Sequence, residues 1–223
     1  MAVLTVGFDL DMTLIDPRPG MRRAFEVLGR QTGLPLDGER FADNLGPPLQ
    51  DEFRRYVTDE ALVTSLVTEF RALYPEIVIP RTVAMPGAAE SVAAVREHGG
   101  RVVVVTGKYA PNASLHLEAL GIEVDHLVGE LWSVAKADAL REFGAQVYVG
   151  DHIGDVVGAR AADAVAVTVP SGACDAVQLS EAGADVVLGD LTEFPAWLRD
   201  WALVWQGLDL RHQRRSLEQQ NAP

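Results

Sequence analysis

Residues 3–13 decide the fold, and they read Val3-Leu4-Thr5-Val6-Gly7-Phe8-Asp9-Leu10-Asp11-Met12-Thr13. The first six residues form a short apolar run, which is typical of a buried parallel strand. Asp9 and Asp11 end the run early and no basic region precedes it, so the pattern favours a strand over a signal peptide. Two acids on an otherwise apolar strand indicate that the end of this strand has a chemical role.

Further apolar runs predict the rest of a parallel sheet. Helical patterns separate these runs; one opens at Pro86-Gly87 and stops at His98-Gly99-Gly100, and two more cover residues 112–119 and 134–143. This alternation of strand and helix predicts an α/β fold with a doubly wound parallel sheet. The predicted strands after the first are residues 101–106, 126–128, 145–149 and 164–169, with a possible edge strand at 185–188.

Residues 17–80 interrupt the alternation, because they contain helical patterns and no convincing strand. Met21, Phe25 and Leu28 share one face of the first helix, and a later helix, with Thr58 as its expected N-cap, presents Leu62, Leu66, Phe70 and Leu73. We interpret this helical insertion as a small cap domain. The remaining predicted units are an α/β core, residues 1–16 and 81–200, and a C-terminal extension, residues 201–223, with a polar, partly ordered tail from about residue 207.

Ligands of open α/β sheets bind outside the carboxyl ends of the strands, and polar residues gather there in this sequence. Asp9 and Asp11 end the first strand, Thr106 ends the second, and Asp151 follows the fourth, with Asp155 four residues later. Lys136 opens the helix before that fourth strand. Clustered carboxylates repel one another unless a cation lies among them, and oxygen-only ligands favour Mg²⁺.

In these positions the chain resembles the haloacid dehalogenase superfamily, and specifically its phosphatase branch with a helical cap after the first strand. The family's DxDxT motif matches Asp9, Asp11 and Thr13, and its second motif, a Ser or Thr at a strand end, matches Thr106. The third motif matches Lys136. The fourth, GDxxxD, matches Gly150, Asp151 and Asp155. Each motif alone is weak, but four in the expected order form a strong signal.

The resemblance implies a Mg²⁺-dependent hydrolysis of a small phosphate monoester, in the phosphoglycolate phosphatase-like group. Asp9 would be the nucleophile that forms an aspartyl-phosphate, and Asp11 would be the general acid and base. Thr106 and Lys136 would bind the phosphoryl oxygens. The metal would be held by Asp9, Asp151, the backbone carbonyl of Asp11, and Asp155 directly or through water. Family members that remove halide lack the second acid of the first motif, so Asp11 favours phosphate chemistry.

Three positions depart from the common family pattern: Met12 stands where glycine is common, Gly107 where asparagine is frequent, and His152 where a small hydroxyl residue is frequent. We expect them to affect substrate fit and not the type of reaction. We interpret Lys108 as peripheral and His152 as a solvent-facing loop residue, and Asp151 could also serve as a helix N-cap. For Gly46-Pro47-Pro48 a turn is a sufficient explanation, and Arg22, Arg23, Arg54 and Arg55 are interpreted as solvated helix residues.

Composition limits the classes of partner. The 223 residues carry a net charge of -13, which disfavours nucleic acid, and no apolar stretch approaches the roughly 20 residues of a membrane span. Cys174 is the only cysteine, so no intrachain disulfide can form. We therefore expect a cytoplasmic protein whose partner is a small-molecule phosphate ester, with no nucleic acid and no membrane involved.

Three other functions fit parts of the pattern. A phosphotransferase or mutase of sugar phosphates shares all four motifs, and only the cap decides whether water accepts the phosphoryl group. A signalling receiver domain also clusters aspartates, a hydroxyl and a lysine around Mg²⁺, but it is shorter and carries its phosphate-accepting aspartate later in the chain. A catalytically silent binding protein on the same scaffold is disfavoured, because nucleophile, acid and lysine are all present.

Overall fold

A parallel sheet of six strands carries the predicted catalytic edge. A computed structural model describes residues 3–205. The six strands lie in the order β5-β4-β1-β6-β7-β8, and every neighbouring pair is parallel. This confirms the predicted α/β fold with a parallel sheet. The strands within the described residues are β1 (Thr5–Phe8), β2 (Ile15–Asp16), β3 (Val83–Ala84), β4 (Arg101–Val105), β5 (His126–Val128), β6 (Val147–Gly150), β7 (Val165–Thr168) and β8 (Val186–Val187).

Helices cover both faces of this sheet and bury it between two hydrophobic clusters. Val6 and Phe8 of β1 point into one cluster, and Tyr148 of β6 belongs to the other. Gly7 makes room for Tyr148, because a Cβ at residue 7 would lie 2.8 Å from a carbon of that ring. The α-helices within 3–205 are α1 (Arg18–Thr32), α2 (Gly38–Asp43), α3 (Leu49–Phe53), α4 (Glu60–Ala72), α5 (Ala88–Glu97), α6 (Ala110–Leu120), α7 (Lys136–Glu142), α8 (Ile153–Ala161), α9 (Ala176–Glu181) and α10 (194–205).

The helical insertion, residues 17–80, has a hydrophobic cluster of its own. Phe25 of α1 stacks on Phe41 and Phe53, with ring centroids 4.4 and 5.4 Å apart, and Phe70 of α4 packs edge-on against all three. The antiparallel strands β2 and β3 pair where the chain enters and leaves this region. The sequence did not predict these strands, because two residues are too few to show a period.

Details of the insertion correct the sequence interpretation. Asp59, and not Thr58, is the N-cap of α4, since its side chain accepts the N–H of Ala61 at 2.9 Å. Leu62 is exposed, whereas Val63 is buried in its place. A one-residue shift of a helical pattern rotates its apolar face by about 100°.

At the C-terminal end, α10 continues through the predicted boundary at residue 201. Trp197, Trp201 and Trp205 stack in sequence along it and pack against the core cluster of the sheet. The polar tail predicted from residue 207 lies outside the described residues. Among residues 3–205, no helix has both the length and the apolar character to cross a membrane.

Candidate active site

The turn after β1 sets Asp9 and Asp11 at the carboxyl edge of the sheet. Asp9 donates its backbone N–H to the carbonyl of Val149 at 2.8 Å, which extends the pairing of β1 with β6. Leu10 then accepts the N–H groups of the next turn, and Met12 adopts a φ of +59°. That conformation suits glycine better than methionine. Met12 is nevertheless buried, so this departure from the family pattern is accommodated by packing.

Lys136 is the centre of the polar cluster beneath that edge. It opens α7 and is fully buried, and its Nζ lies 3.0 Å from Oδ1 of Asp9 and 2.6 Å from Oδ1 of Asp155. The hydroxyl of Tyr148 accepts a third hydrogen bond from Nζ at 2.8 Å and donates one to the carbonyl of Val105 at 2.5 Å. An ammonium group has three donors, and all of them are used here. Sequence reasoning did not anticipate the role of Tyr148.

The loop between β6 and α8 carries Asp151, the first turn of α8 carries Asp155, and both lie on the same side as Asp9. The N-cap of α8 is His152, whose Nδ1 accepts the N–H of Gly154 at 3.0 Å, so Asp151 is not the cap. Asp155 accepts the N–H groups of Asp151 and His152 at 3.2 and 3.1 Å. His152 is therefore a half-buried capping residue and not a solvent-facing loop residue, and its ring tilts against Trp132. Thr13 donates its hydroxyl to Asp151 at 3.1 Å.

Asp9, Asp151 and Asp155 fit a divalent cation. Each can offer a carboxylate oxygen such that the three oxygens lie within 4.8 Å of one another, and all three residues are buried. Burial, opposed by Lys136 and reinforced by Asp155 and Asp11, raises the pKa of Asp9 to about 6. Burial and the charges of Asp155 and Asp9 raise the pKa of Asp151 well above its ordinary value. Buried acids that face other acids resist ionisation, and a metal ion between them stabilises their ionised forms.

Thr106 lies where predicted, at the end of β4 beside β1. It is buried, and its hydroxyl oxygen accepts the backbone N–H of Lys108 at 3.3 Å. The hydroxyl hydrogen can still be donated to a ligand. Thr106 thus lies on the same sheet edge as the carboxylates.

Lys108 is not peripheral, contrary to the sequence interpretation. Its buried Nζ lies 3.0 Å from Oδ2 of Asp11 and 3.1 Å from the hydroxyl of Tyr74, which belongs to the helical insertion. Burial alone would lower the pKa of Lys108, but Asp11 and Tyr74 outweigh it and leave that pKa above its ordinary value. The sequence signal was its position two residues after Thr106 on the same strand end.

A cavity of ≈ 100 Å³ lies between this edge and the helical insertion. Gly46-Pro47-Pro48 forms part of its wall, so this segment is more than a turn. A Cβ at Gly107 would lie 3.1 Å from the carbonyl oxygen of Gly46, so glycine at 107 lets the segment approach closely. Trp132 packs beneath Gly46 from the core side.

Among residues 3–205, the arginine that lines this cavity is Arg71, which no sequence motif indicates. Three of the four arginines interpreted from the sequence as solvated behave as expected for exposed helix faces. Arg22 pairs with Glu39, Arg23 with Glu26, and Arg54 with Asp51 and Glu60.

Comparison with known proteins places this site in a family. A family model described as haloacid dehalogenase-like hydrolase matches residues 6–160. The phosphoglycolate phosphatase of Chromobacterium violaceum is 30% identical over 213 residues, which cover 86% of this chain and 94% of that protein. The probable phosphatase IndB of Dickeya dadantii is 27% identical over 207 residues, covering 84% and 90%.

The fold is also found in solved structures. The crystal structure of a predicted phosphatase from Clostridium acetobutylicum superposes with a TM-score of 0.77 at 21% identity, and the match covers 90% of this chain and 100% of that one. The match to the family model spans the first, second, third and fourth motifs described above. The chain therefore belongs to the haloacid dehalogenase-like hydrolases and, within them, to the phosphatases that resemble phosphoglycolate phosphatase.

Proposed function

We propose that this enzyme hydrolyses a small phosphate monoester, with Mg²⁺, through an aspartyl-phosphate on Asp9. The observation that carries the proposal is the position of Asp9, whose carboxylate lies 3.0 Å from Lys136 and within the same oxygen cluster as Asp151 and Asp155. A nucleophilic carboxylate needs a nearby cation, because its target phosphoryl group is itself negative. In this proposal the helical insertion is a cap domain over the α/β core.

The first half-reaction transfers the phosphoryl group to the enzyme. An oxygen of Asp9 forms a bond to phosphorus while the bond from phosphorus to the ester oxygen breaks in line. The ester oxygen leaves with the electron pair and takes a proton from Asp11. Lys136 and Thr106 donate hydrogen bonds to the phosphoryl oxygens. Since Lys136 has no spare donor at rest, it must exchange its bond to Asp9 for one to phosphate.

The second half-reaction regenerates Asp9. Water attacks phosphorus and gives a proton to Asp11, and the bond between phosphorus and the Asp9 oxygen breaks to release inorganic phosphate. Lys108 is 3.0 Å from Asp11, and both residues line the cavity that would receive the leaving group.

The metal would be held by the carboxylates of Asp9 and Asp151 and by the backbone carbonyl of Asp11. Asp155 fits a water-mediated contact best, because its two oxygens already accept bonds from Lys136 and from two backbone N–H groups. Bound Mg²⁺ would offset the combined negative charge of the phosphoryl group and the carboxylates.

The test is a magnesium-supplemented assay of phosphate release from 4-nitrophenyl phosphate and from a panel of phosphate monoesters. Asp9→Asn should lower kcat by on the order of a thousandfold or more, since no other residue can replace the nucleophile. Arg54→Gln removes two exposed ion pairs in the helical insertion, those with Asp51 and Glu60, and should leave kcat unchanged. Turnover by Asp9→Asn at the wild-type rate would refute the proposal. Conversion of a hexose phosphate into its isomer without phosphate release would indicate the phosphotransferase instead.

A further inference from the structure

The side chain of Asp11 has a single polar partner among the described residues. Its Oδ2 lies 3.0 Å from Nζ of Lys108, while its Oδ1 is buried and accepts no hydrogen bond within residues 3–205. The torsion that turns a carboxyl group has broad minima, so one contact decides where the second oxygen points. Lys108 is therefore the residue that can fix the orientation of Asp11.

The contact between Lys108 and Asp11 can persist through the proposed proton transfers. An ionised carboxylate accepts hydrogen bonds with both oxygens, and a protonated carboxyl group still accepts with the oxygen that carries no proton. A proton on Oδ1 of Asp11 therefore leaves Oδ2 bonded to Lys108. In the first half-reaction this proton goes to the ester oxygen as the bond to phosphorus breaks, and in the second half-reaction water returns a proton to Asp11.

The helical insertion in turn holds the side chain of Lys108. Tyr74 follows α4, and its hydroxyl accepts a hydrogen bond from Nζ of Lys108 at 3.1 Å. Nζ also lies 4.9 Å from the centroid of the Tyr74 ring. A lysine has a flexible stem, so contacts of this kind are needed to fix its ammonium group. Both side chains are buried, so water competes little for the hydrogen bond.

Tyr74 is itself fixed by contacts on two sides. Its hydroxyl donates to Sδ of Met21 at 3.1 Å, and its ring packs edge-on against Phe70 with the centroids 5.7 Å apart. On the core side the ring packs edge-on against His116 of α6, also at 5.7 Å. Met21 and Phe70 belong to the hydrophobic cluster of the insertion. A continuous series of contacts thus runs from this cluster to Asp11.

We infer that Tyr74 is a positioning residue for the general acid, because through Lys108 it orients the carboxyl group of Asp11 towards the leaving oxygen of the ester. The inference rests on the proposed function, since it concerns the acid of the same reaction. It gives the helical insertion a part in the chemical step. The other buried pair of this kind, Tyr148 and Lys136, acts at the phosphoryl end instead.

The test compares two aryl esters that differ in their need for a proton. 4-Nitrophenolate is a weak base and leaves without one, whereas the phenolate of phenyl phosphate is a stronger base and needs a general acid. We expect Tyr74→Phe to lower kcat/KM for phenyl phosphate by about tenfold, and for 4-nitrophenyl phosphate by no more than about twofold. This constant covers the steps up to departure of the leaving group. An equal loss for both esters, or no loss for phenyl phosphate, would overturn the inference.

Two other tyrosines provide matched comparisons. Tyr56→Phe removes a hydroxyl elsewhere in the insertion and should change kcat/KM for neither ester. Tyr148→Phe disturbs Lys136 at the phosphoryl end and should lower kcat/KM for both esters by similar factors. If Tyr148→Phe affected phenyl phosphate selectively by as much as Tyr74→Phe does, selectivity would not report on the acid and the inference would fail.

A double variant tests whether Tyr74 acts through Asp11. In Asp11→Asn there is no acid to orient, so adding Tyr74→Phe should lower kcat/KM for phenyl phosphate by no more than about twofold further. A further loss of about tenfold would show that Tyr74 acts by another route and would contradict the inference.

The Asp9→Asn variant separates failure of the inference from failure of the proposed function. If hydrolysis of 4-nitrophenyl phosphate depends on Asp9 while Tyr74→Phe affects both esters equally, the inference fails and the proposed function stands. If Asp9→Asn retains the wild-type rate, the proposed function fails and the inference fails with it.

Discussion

At Lys136 three acceptors share one ammonium group, and only two of them carry charge. Asp9 and Asp155 supply the charges, while the hydroxyl of Tyr148 accepts the third hydrogen bond from Nζ at 2.8 Å and itself donates one to the carbonyl of Val105. Without that hydroxyl the ammonium group could turn away from Asp9. Tyr148 is therefore a positioning residue for Lys136.

Replacing Tyr148 by Phe tests this role while the ring stays packed against Gly7. We expect kcat for an aryl phosphate to fall by about tenfold or more with KM little changed, because Lys136 is oriented less well at the reacting phosphoryl group. The unpaired carbonyl of Val105 should also lower the free energy of unfolding by about 1–3 kcal/mol, measured by urea denaturation. Tyr56→Phe removes a hydroxyl in the helical insertion and should leave kcat unchanged. A wild-type kcat for Tyr148→Phe would show that Lys136 needs no third partner.

The start of α8 depends on the absence of a side chain at Gly150. Gly150 ends β6, and a Cβ there would lie 2.4 Å from the carboxyl group of Asp155. Asp155 in turn caps the backbone of the loop and pairs with Lys136, so its displacement would disturb all of these contacts.

Gly150→Ala should therefore weaken both the fold and the metal site. We expect a loss of about 1–3 kcal/mol in the free energy of unfolding, as for other overpacked buried positions. The affinity for Mg²⁺, measured by calorimetry, should fall by about 10–100-fold, because the support behind Asp151 moves. Gly154→Ala, in the same helix start, would place its Cβ no closer than 3.3 Å to a side chain and serves as the control. Equal effects from the two variants would show that displacement of Asp155 is not the cause.

The closeness of Gly46 to Gly107 leads to a prediction about the helical insertion. Gly107→Ala would bring a Cβ to 3.1 Å from the carbonyl oxygen of Gly46 and push the Gly46-Pro47-Pro48 segment outward. We expect KM to rise by a few-fold with kcat within about twofold of wild type, because the cavity wall moves while Asp9 and Lys136 do not. Steady-state kinetics measure both constants, and a fall in kcat at unchanged KM would place the effect at the chemistry instead.

At the scale of the whole molecule, the sequence predicts elements better than contacts between elements. The strand ends that carry Asp9, Thr106 and Asp151 were predictable, because buried parallel strands are short apolar runs and their carboxyl ends meet at one edge. The contact of Lys108 with Tyr74 was not, because the two residues are 34 positions apart and meet only when the insertion packs on the core. The N-cap of α4 was predicted wrongly for a local reason, because Thr58 and Asp59 are adjacent and both residue types suit an N-cap.

The buried acids make the free energy of unfolding depend on pH and on bound metal. With a folded pKa of about 6 against 3.8 for an ordinary aspartate, Asp9 binds more protons in the folded chain than in the unfolded chain between these values. The unfolding free energy of the metal-free protein should therefore fall, on account of Asp9, by about 2 kcal/mol as pH rises from 4 to above 6. Asp151 acts in the same direction, since its pKa is also raised.

This dependence can be isolated by comparing the wild type with Asp9→Asn in EDTA across pH 4–7.5. Other acids, such as Asp125, have lowered pKa values and stabilise the fold as pH rises, but their contribution is common to both proteins. The wild type should lose stability relative to Asp9→Asn as pH rises, and a relative gain would contradict the raised pKa of Asp9. Added Mg²⁺ should then raise the Tm of the wild type more at pH 7.5 than at pH 5, because it binds the ionised carboxylates. The same addition should raise the Tm of Asp9→Asn less, since one of the proposed ligands is gone.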